Sequence, residues 1–173
     1  MRCGFEARGT INLIWAEISG ELDRLDASLT KGFIAQGMRV RARFLWQPVK
    51  TDGIEVNLLD AHVGTLMDTP ESWQPVKRLL LPSFRYDRIE SERDVAERLD
   101  WLAKHDNSVF LFTPQPHLKL ANVLRQNGFA AEAARILIRR EDKQRAAEWE
   151  RAMDNVGVSL KHELIAFAHQ YGH

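Results

Sequence analysis

Cysteine is nearly absent: Cys3 is the one thiol in 173 residues. A single thiol excludes an internal disulfide framework and a cysteine-rich metal site, and it suits a reducing compartment. An excess of one charge is missing too. The 24 Lys and Arg balance the 24 Asp and Glu, for a formal net charge of zero. That balance supplies no overall drive toward nucleic acid or another polyanion. No run approaches the ~18 apolar residues of a membrane-spanning helix. Residues 1–20 lack a basic start followed by a long apolar stretch, so no signal peptide is read. The ten glycines never form Gly-x-Gly-x-x-Gly, the arrangement that admits a dinucleotide's pyrophosphate between a strand and a helix.

What is present is a repeating apolar frame from Ile11 to Tyr86. An apolar residue is followed by others at +2, +5 and +7. Ile11, Leu13, Ala16 and Ile18 fit, as do Phe33, Ala35, Met38 and Val40. Val56, Leu58, Ala61 and Val63 make a third copy, and Leu79, Leu81, Phe84 and Tyr86 a fourth. The copies begin at Ile11, Phe33, Val56 and Leu79, an interval of about 22 residues that is typical of repeat folds. The pair between +2 and +5 must turn a corner. Gln36-Gly37, Leu59-Asp60 and Pro82-Ser83 suit a corner, whereas Ile14-Trp15 argues against one. The reading is α+β: a short right-handed β-solenoid of about four coils of about 22–23 residues, then an α-helical module. Its rival is an ordinary antiparallel β-domain, which does not hold a fixed period. The boundary falls at 1–88 and 89–173.

Met1 to Thr10 precede the first coil without a capping helix. The expectation is a truncated array, a partner at this end, or a segment folded over it. Residues 68–78, with Pro70 and Pro75, read as a loop. From Ser91 the apolar period changes to 3.6. Ser91 caps a first helix to about Lys104, with Glu92 and Asp94 in its first turn and Val95, Leu99 and Leu102 on one face. Asn107 to Thr113 connects, and its apolar Val109 to Phe112 need burial. Thr113-Pro114 opens a second helix that Gly128 ends. A third spans Ala130 to about Met153. Asn155-Val156-Gly157 breaks the chain before a last helix, Ser159 to Gln170.

Candidate chemistry is sparse. Arg39, Arg41 and Arg43 alternate with apolar residues and project together from one strand. They form a basic stripe for an anion or partner, or a solvated face that discourages edge pairing. His162, Glu163, His169 and His173 cluster in sequence near the end of the chain, and a solvated helix face accounts for them better than a metal site. His62 and His117 read as structural or surface residues. Asp87, Arg88 and Glu90 suit ion pairs at a junction. Cys3 reads as an incidental thiol, and no serine lies in a nucleophile-elbow setting.

Leu120-Ala121, Leu124, Gly128, Glu132-Ala133 and Leu137 resemble a tetratricopeptide hairpin, in which small residues let two helices approach closely. The coils, with Phe84-Arg85-Tyr86-Asp87-Arg88 and the Pro114-Gln115-Pro116 and Leu-Ala-x-Val-Leu-Arg-x-x-Gly runs, together resemble a bacterial family labelled membrane-associated oxidoreductase. That resemblance implies pentapeptide-like β-solenoid repeats and a hydrophobic membrane segment after the last helix. This chain stops at Tyr171-Gly172-His173, about where that segment would begin. No catalytic, cofactor-binding or metal residue transfers with the resemblance. The expected function is a non-catalytic interaction or scaffold protein, the soluble part of a membrane-associated protein. The alternative is an accessory subunit of a membrane-associated redox enzyme. The expected partner is another protein, with the membrane surface a second candidate and no specific nucleic acid. The expected location is cytoplasmic, peripheral at the inner membrane.

Overall fold

The computed structural model describes residues 6–7, 9–23, 28–29, 31–47, 50–51, 53–90, 95–106 and 111–171, with side chains of the last stretch described as far as residue 154. Among the described residues twelve strands come first. They are β1 (Glu6–Ala7), β2 (Thr10–Asn12), β3 (Glu17–Ile18), β4 (Leu22–Asp23), β5 (Ser28–Leu29), β6 (Gly32–Ile34), β7 (Arg39–Trp46), β8 (Lys50–Thr51), β9 (Ile54–Asn57), β10 (His62–Asp68), β11 (Val76–Leu80) and β12 (Arg85–Glu90). One helical turn, α1 (Pro70–Trp73), interrupts them, and α2 (Val95–Asp106), α3 (Gln115–Gln126) and α4 (Ala130–Tyr171) follow.

All described strand pairs are parallel. They form three sheets, with strand orders β11-β9-β6-β2, β12-β10-β7-β3 and β1-β5-β8; β4 also pairs with β7. Ile11 pairs with Phe33, Phe33 with Val56, and Val56 with Leu79. Paired strands therefore stand one interval of the apolar frame apart in the chain. Before α1, the described connections between them consist of strands and turns.

The corners explain how two sheets share one core. In each copy the +5 amide donates to the +2 carbonyl: Ala16 to Leu13, Met38 to Ala35, Ala61 to Leu58 and Phe84 to Leu81, at 2.9–3.2 Å. The residue before the donor takes positive φ: Trp15 (56°), Gly37 (65°), Asp60 (57°) and Ser83 (58°). Ile14-Trp15 is thus a corner like the rest, against the expectation from its residue types. The reason is packing in the next layer. The Trp15 indole lies against Gly37, where an added Cβ would stand 2.3 Å from the ring. Glycine at 37 makes the room that lets tryptophan occupy 15.

Inward columns fill the interior. Phe33, Val56 and Leu79 are fully buried, as are Ala35 and Leu58 on the row beside them. Ile11, Leu13, Ala16 and Ile18, in the first layer, are only partly buried. At the opposite end the edge of β11 and β12 is covered by helices, a standard way to protect a sheet edge. Lys104 donates to the carbonyls of Gln74 (3.3 Å) and Val76 (3.2 Å). The Leu81 amide donates to Nδ1 of His105 at 3.4 Å. Gln115 accepts from the Ser83 amide (3.0 Å) and donates to the Phe84 carbonyl (3.3 Å). One apolar cluster runs from Leu22 through the strands to Trp101, Leu120 and Ile136.

Several expectations change. The expected fold class, a right-handed β-solenoid with pentapeptide-type coils followed by a helical module with a tetratricopeptide-like hairpin, is corrected to a parallel β-sheet domain with α-helices packed on it through a common core. The strand register repeats at the interval of the whole apolar frame, not at that of a pentapeptide unit. The hairpin resemblance fails because its two helices are unequal, 12 and 42 residues, and α3 packs on β12 as well as on α4. The break at Asn155-Val156-Gly157 is absent: α4 runs through it, although an interior glycine costs about 1 kcal/mol. The loop at 68–78 contains α1 and the start of β11. Its first turn is tied by Ser72, whose hydroxyl donates to the Thr69 carbonyl at 2.6 Å and accepts from the Thr69 amide at 3.3 Å. Gly128 has φ 89° just after α3, in the terminating role expected of it. Cys3, Phe5, Ser91 to Asp94, Val109 and Phe110 lie outside the described residues.

Candidate functional site

The outer face of the β3-β7-β10-β12 sheet carries its charges in rows, because parallel register places equivalent residues side by side. Glu17, Arg39, His62 and Arg85 form one such row. Arg39 pairs with Glu17 at 3.5 Å, and Nε2 of His62 lies 3.2 Å from Oδ1 of Asp87. Further along β7, Arg43 grips a single Glu21 oxygen through Nε (2.8 Å) and Nη2 (2.6 Å). The Glu21 hydrogen bond, before its charge, holds the Arg43 guanidinium above its ordinary pKa. All three pairs are solvent-exposed and contribute little to stability.

Arg41 sits between these two arginines on β7 and is exposed. It has no ion-pair or hydrogen-bond partner among the described residues. Beside it the surface opens into a groove of about 380 Å³. Glu17, Arg39, His62 and Asp87 wall this groove, and Gly64 lies on its floor. Gly64 is where the β7–β10 register slips, between Val63 and Thr65. A Cβ there would meet the carbonyl oxygens of Arg41 at 2.5 Å and Ala42 at 2.7 Å. A side chain at 64 would both strain the bulge and fill the groove. The structure thus places Arg39, Arg41 and Arg43 on one exposed face, two of them engaged by carboxylates and one facing a cleft.

Two buried polar groupings lie elsewhere, and neither was read from the sequence. Asp68 receives a two-pronged contact from Arg98, at 2.9 and 3.0 Å, and the Trp73 indole N–H at 2.6 Å. Both charged side chains are almost wholly buried. Beside them Trp46 stacks on Trp73 with ring centroids 5.1 Å apart, and Trp101 meets Trp73 at a tilt with centroids 5.8 Å apart. Tyr86 continues this wall, and burial raises its phenol pKa. This carboxylate already holds three strong donors, which suits joining α2 to β10 better than catalysis. No local spacing in the sequence announces a pair so widely separated in the chain.

The second grouping is His105 and His117, both fully buried. His105 accepts from Leu81 and lies 3.3 Å from the Thr113 hydroxyl through its other nitrogen. Burial lowers its pKa. His117 packs edge-on against Phe112. Burial first, then the positive charge of His105, Lys143, Arg140 and Arg139, pushes its pKa down to about 4. The sequence offered His117 as a structural or surface residue, and the structure puts it in the core.

Among the described residues no group of three or more His, Cys, Asp or Glu is placed to hold a metal ion. The side chains of His162, Glu163, His169 and His173 lie outside the described residues. No helix among the described residues is long and apolar enough to cross a membrane. No family model, no curated protein and no solved structure matches the chain. The resemblance to a family of membrane-associated oxidoreductases is therefore corrected. No sequence similarity carries it, and its pentapeptide period is not the observed register.

Proposed function

We propose that this protein is a non-catalytic interaction module whose β3-β7-β10 face receives an acidic segment of another protein. Arg41 carries the reading: it is an exposed guanidinium without an internal partner among the described residues, beside a groove that Gly64 keeps open. An incoming carboxylate would gain a charge-assisted, two-pronged hydrogen bond there without displacing an existing pair. Glu17 and Asp87, on the walls, restrict the site to a segment that places its carboxylate at Arg41 and keeps neutral or basic residues beside them.

Selection of a random peptide display library on the full chain tests this. The expected binders carry Asp or Glu, weaken as salt rises from about 0.05 to 0.5 M, and lose about tenfold in affinity to Arg41→Glu. Binders that lack acidic residues, or that ignore Arg41→Glu, would sink the proposal. The other expectation, an accessory subunit of a redox enzyme, predicts a cofactor-bearing partner in the captured complex.

A further inference from the structure

The first layer is open on the side away from the second. Ile11, Leu13, Ala16 and Ile18 are only partly buried, whereas Phe33, Ala35, Met38 and Val40, their counterparts one layer in, are enclosed. The backbone of β3 shows the same gap. In the inner layers an amide at the start of each strand donates to the layer before it: Arg39 to the Ala16 carbonyl, His62 to Met38 and Arg85 to Ala61, at 2.8–2.9 Å. Glu17 holds this place in the first layer, and among the described residues no strand lies on that side of it. β4 likewise pairs only with β7 among the described residues. An edge strand with unpaired amides is a template for one more strand.

The side chains on this edge select the strand. Glu17 and Glu21 stand on it, 70% and 52% exposed. Each meets its arginine through Oε1, and neither Oε2 accepts a hydrogen bond among the described residues. From the inside, β7 sets Arg39 and Val40 opposite Glu17 and Ile18, and Arg43 and Phe44 beside Glu21 and Leu22. We propose that the outer edge of β3 and β4 adds a strand of another protein with the same spacing: two basic residues four apart, each next to an apolar one. Residues four apart share a face of a strand, so both cations reach the open carboxylate oxygens while the apolar pair covers Ile18 and Leu22. β2 is open as well, but Thr10–Asn12 carries no charge to choose a partner. A second copy fits poorly: edge to edge it sets this acidic edge against the same acidic edge, and like charges opposite one another repel. The site is distinct from the groove at Arg41, which takes a carboxylate; Glu17 borders both, and Glu21 only the edge.

Amide exchange of the full chain tests the proposal with a synthetic peptide, Thr-Arg-Val-Thr-Ser-Arg-Val-Thr. A free peptide must be ordered into a strand on binding, so a Kd of about 1 mM is expected, too weak to survive display selection. At about 2 mM peptide the Glu17 amide should exchange about threefold more slowly. The permuted peptide Thr-Arg-Val-Ser-Arg-Val-Thr-Thr puts its arginines on opposite faces and should leave that amide unchanged. Glu21→Arg should abolish the protection, and Glu in place of the peptide arginine that faces it should restore it. Glu21→Gln, which keeps the shape, should weaken the protection in the same direction. Protection in β10 and α2 reports that each variant folds. Unchanged exchange at Glu17, equal protection by both peptides, or protection indifferent to both Glu21 variants overturns the proposal. A chain that dimerises and protects Glu17 without peptide assigns the edge to a second copy and overturns it too. Arg41→Glu should leave the peptide effect in place, so this reading and the groove reading fail separately.

Discussion

Asp68 and Arg98 show how much one buried pair can decide. Each is charged, each is nearly inaccessible to water, and each satisfies the other in two hydrogen bonds. Removing one partner leaves a desolvated charge behind, which costs more than the pair's own net contribution. Asp68→Ala should destabilise the chain by about 3–5 kcal/mol in urea denaturation. Replacing both residues together with apolar side chains of similar volume should recover most of that loss. A loss below about 1 kcal/mol for Asp68→Ala would mean that Arg98 finds solvent or another acceptor. Neither residue was legible as half of a pair. Asp68 reads as the start of a loop beside Pro70, and Arg98 falls inside the first helix with no role read for it. Trp15 misleads in the same way, because its suitability for a corner depends on Gly37 in the neighbouring layer.

Among the elements, α2 meets the strand layers through His105, and α3 buries His117 beside Phe112. In the folded chain His117 takes up its proton only near pH 4, whereas an unfolded histidine does so near pH ~6.5. Between those values the unfolded chain binds the extra proton, so stability rises with pH across the window. The contribution is complete above about pH 7 and is lost as pH falls from about 6.5 toward 4. His105 shifts in the same direction and for the same leading cause, burial. The unfolding free energy should therefore fall steeply below about pH 6, by about 2–3 kcal/mol from His117 alone by pH 4. His117→Leu should flatten the slope, and an unchanged slope would show that His117 is already solvated. The helix α4 belongs to this scale as well. Its first turns are held by packing on α3, and its continuation through Gly157 follows from uninterrupted backbone bonding, which propensity alone did not foretell.

At the scale of the whole molecule, strands and helices share a core. Trp46 on β7, Trp73 on α1, Trp101 on α2 and Tyr86 on β12 form one aromatic wall, so strand layers and helices should unfold together. Tryptophan emission and amide protection in β7 and α2 are expected to share one denaturant midpoint. Two separate midpoints would make the two halves independent units. By itself the sequence determined the residues that point inward. The apolar frame of Ile11, Phe33, Val56 and Leu79 and its companions reappears as strand register, because side chains alternate across a strand and burial penalises a slip of one residue. It also determined that Arg39, Arg41 and Arg43 share a face. Only the tertiary structure decided which of those arginines is engaged, since Glu17 and Glu21 come beside β7 through parallel pairing. It alone created the groove, because the slip at Gly64 depends on two strands meeting. Alternation is local and written residue by residue, whereas a cleft and its unpaired charge arise from neighbours that the chain brings together only when it folds.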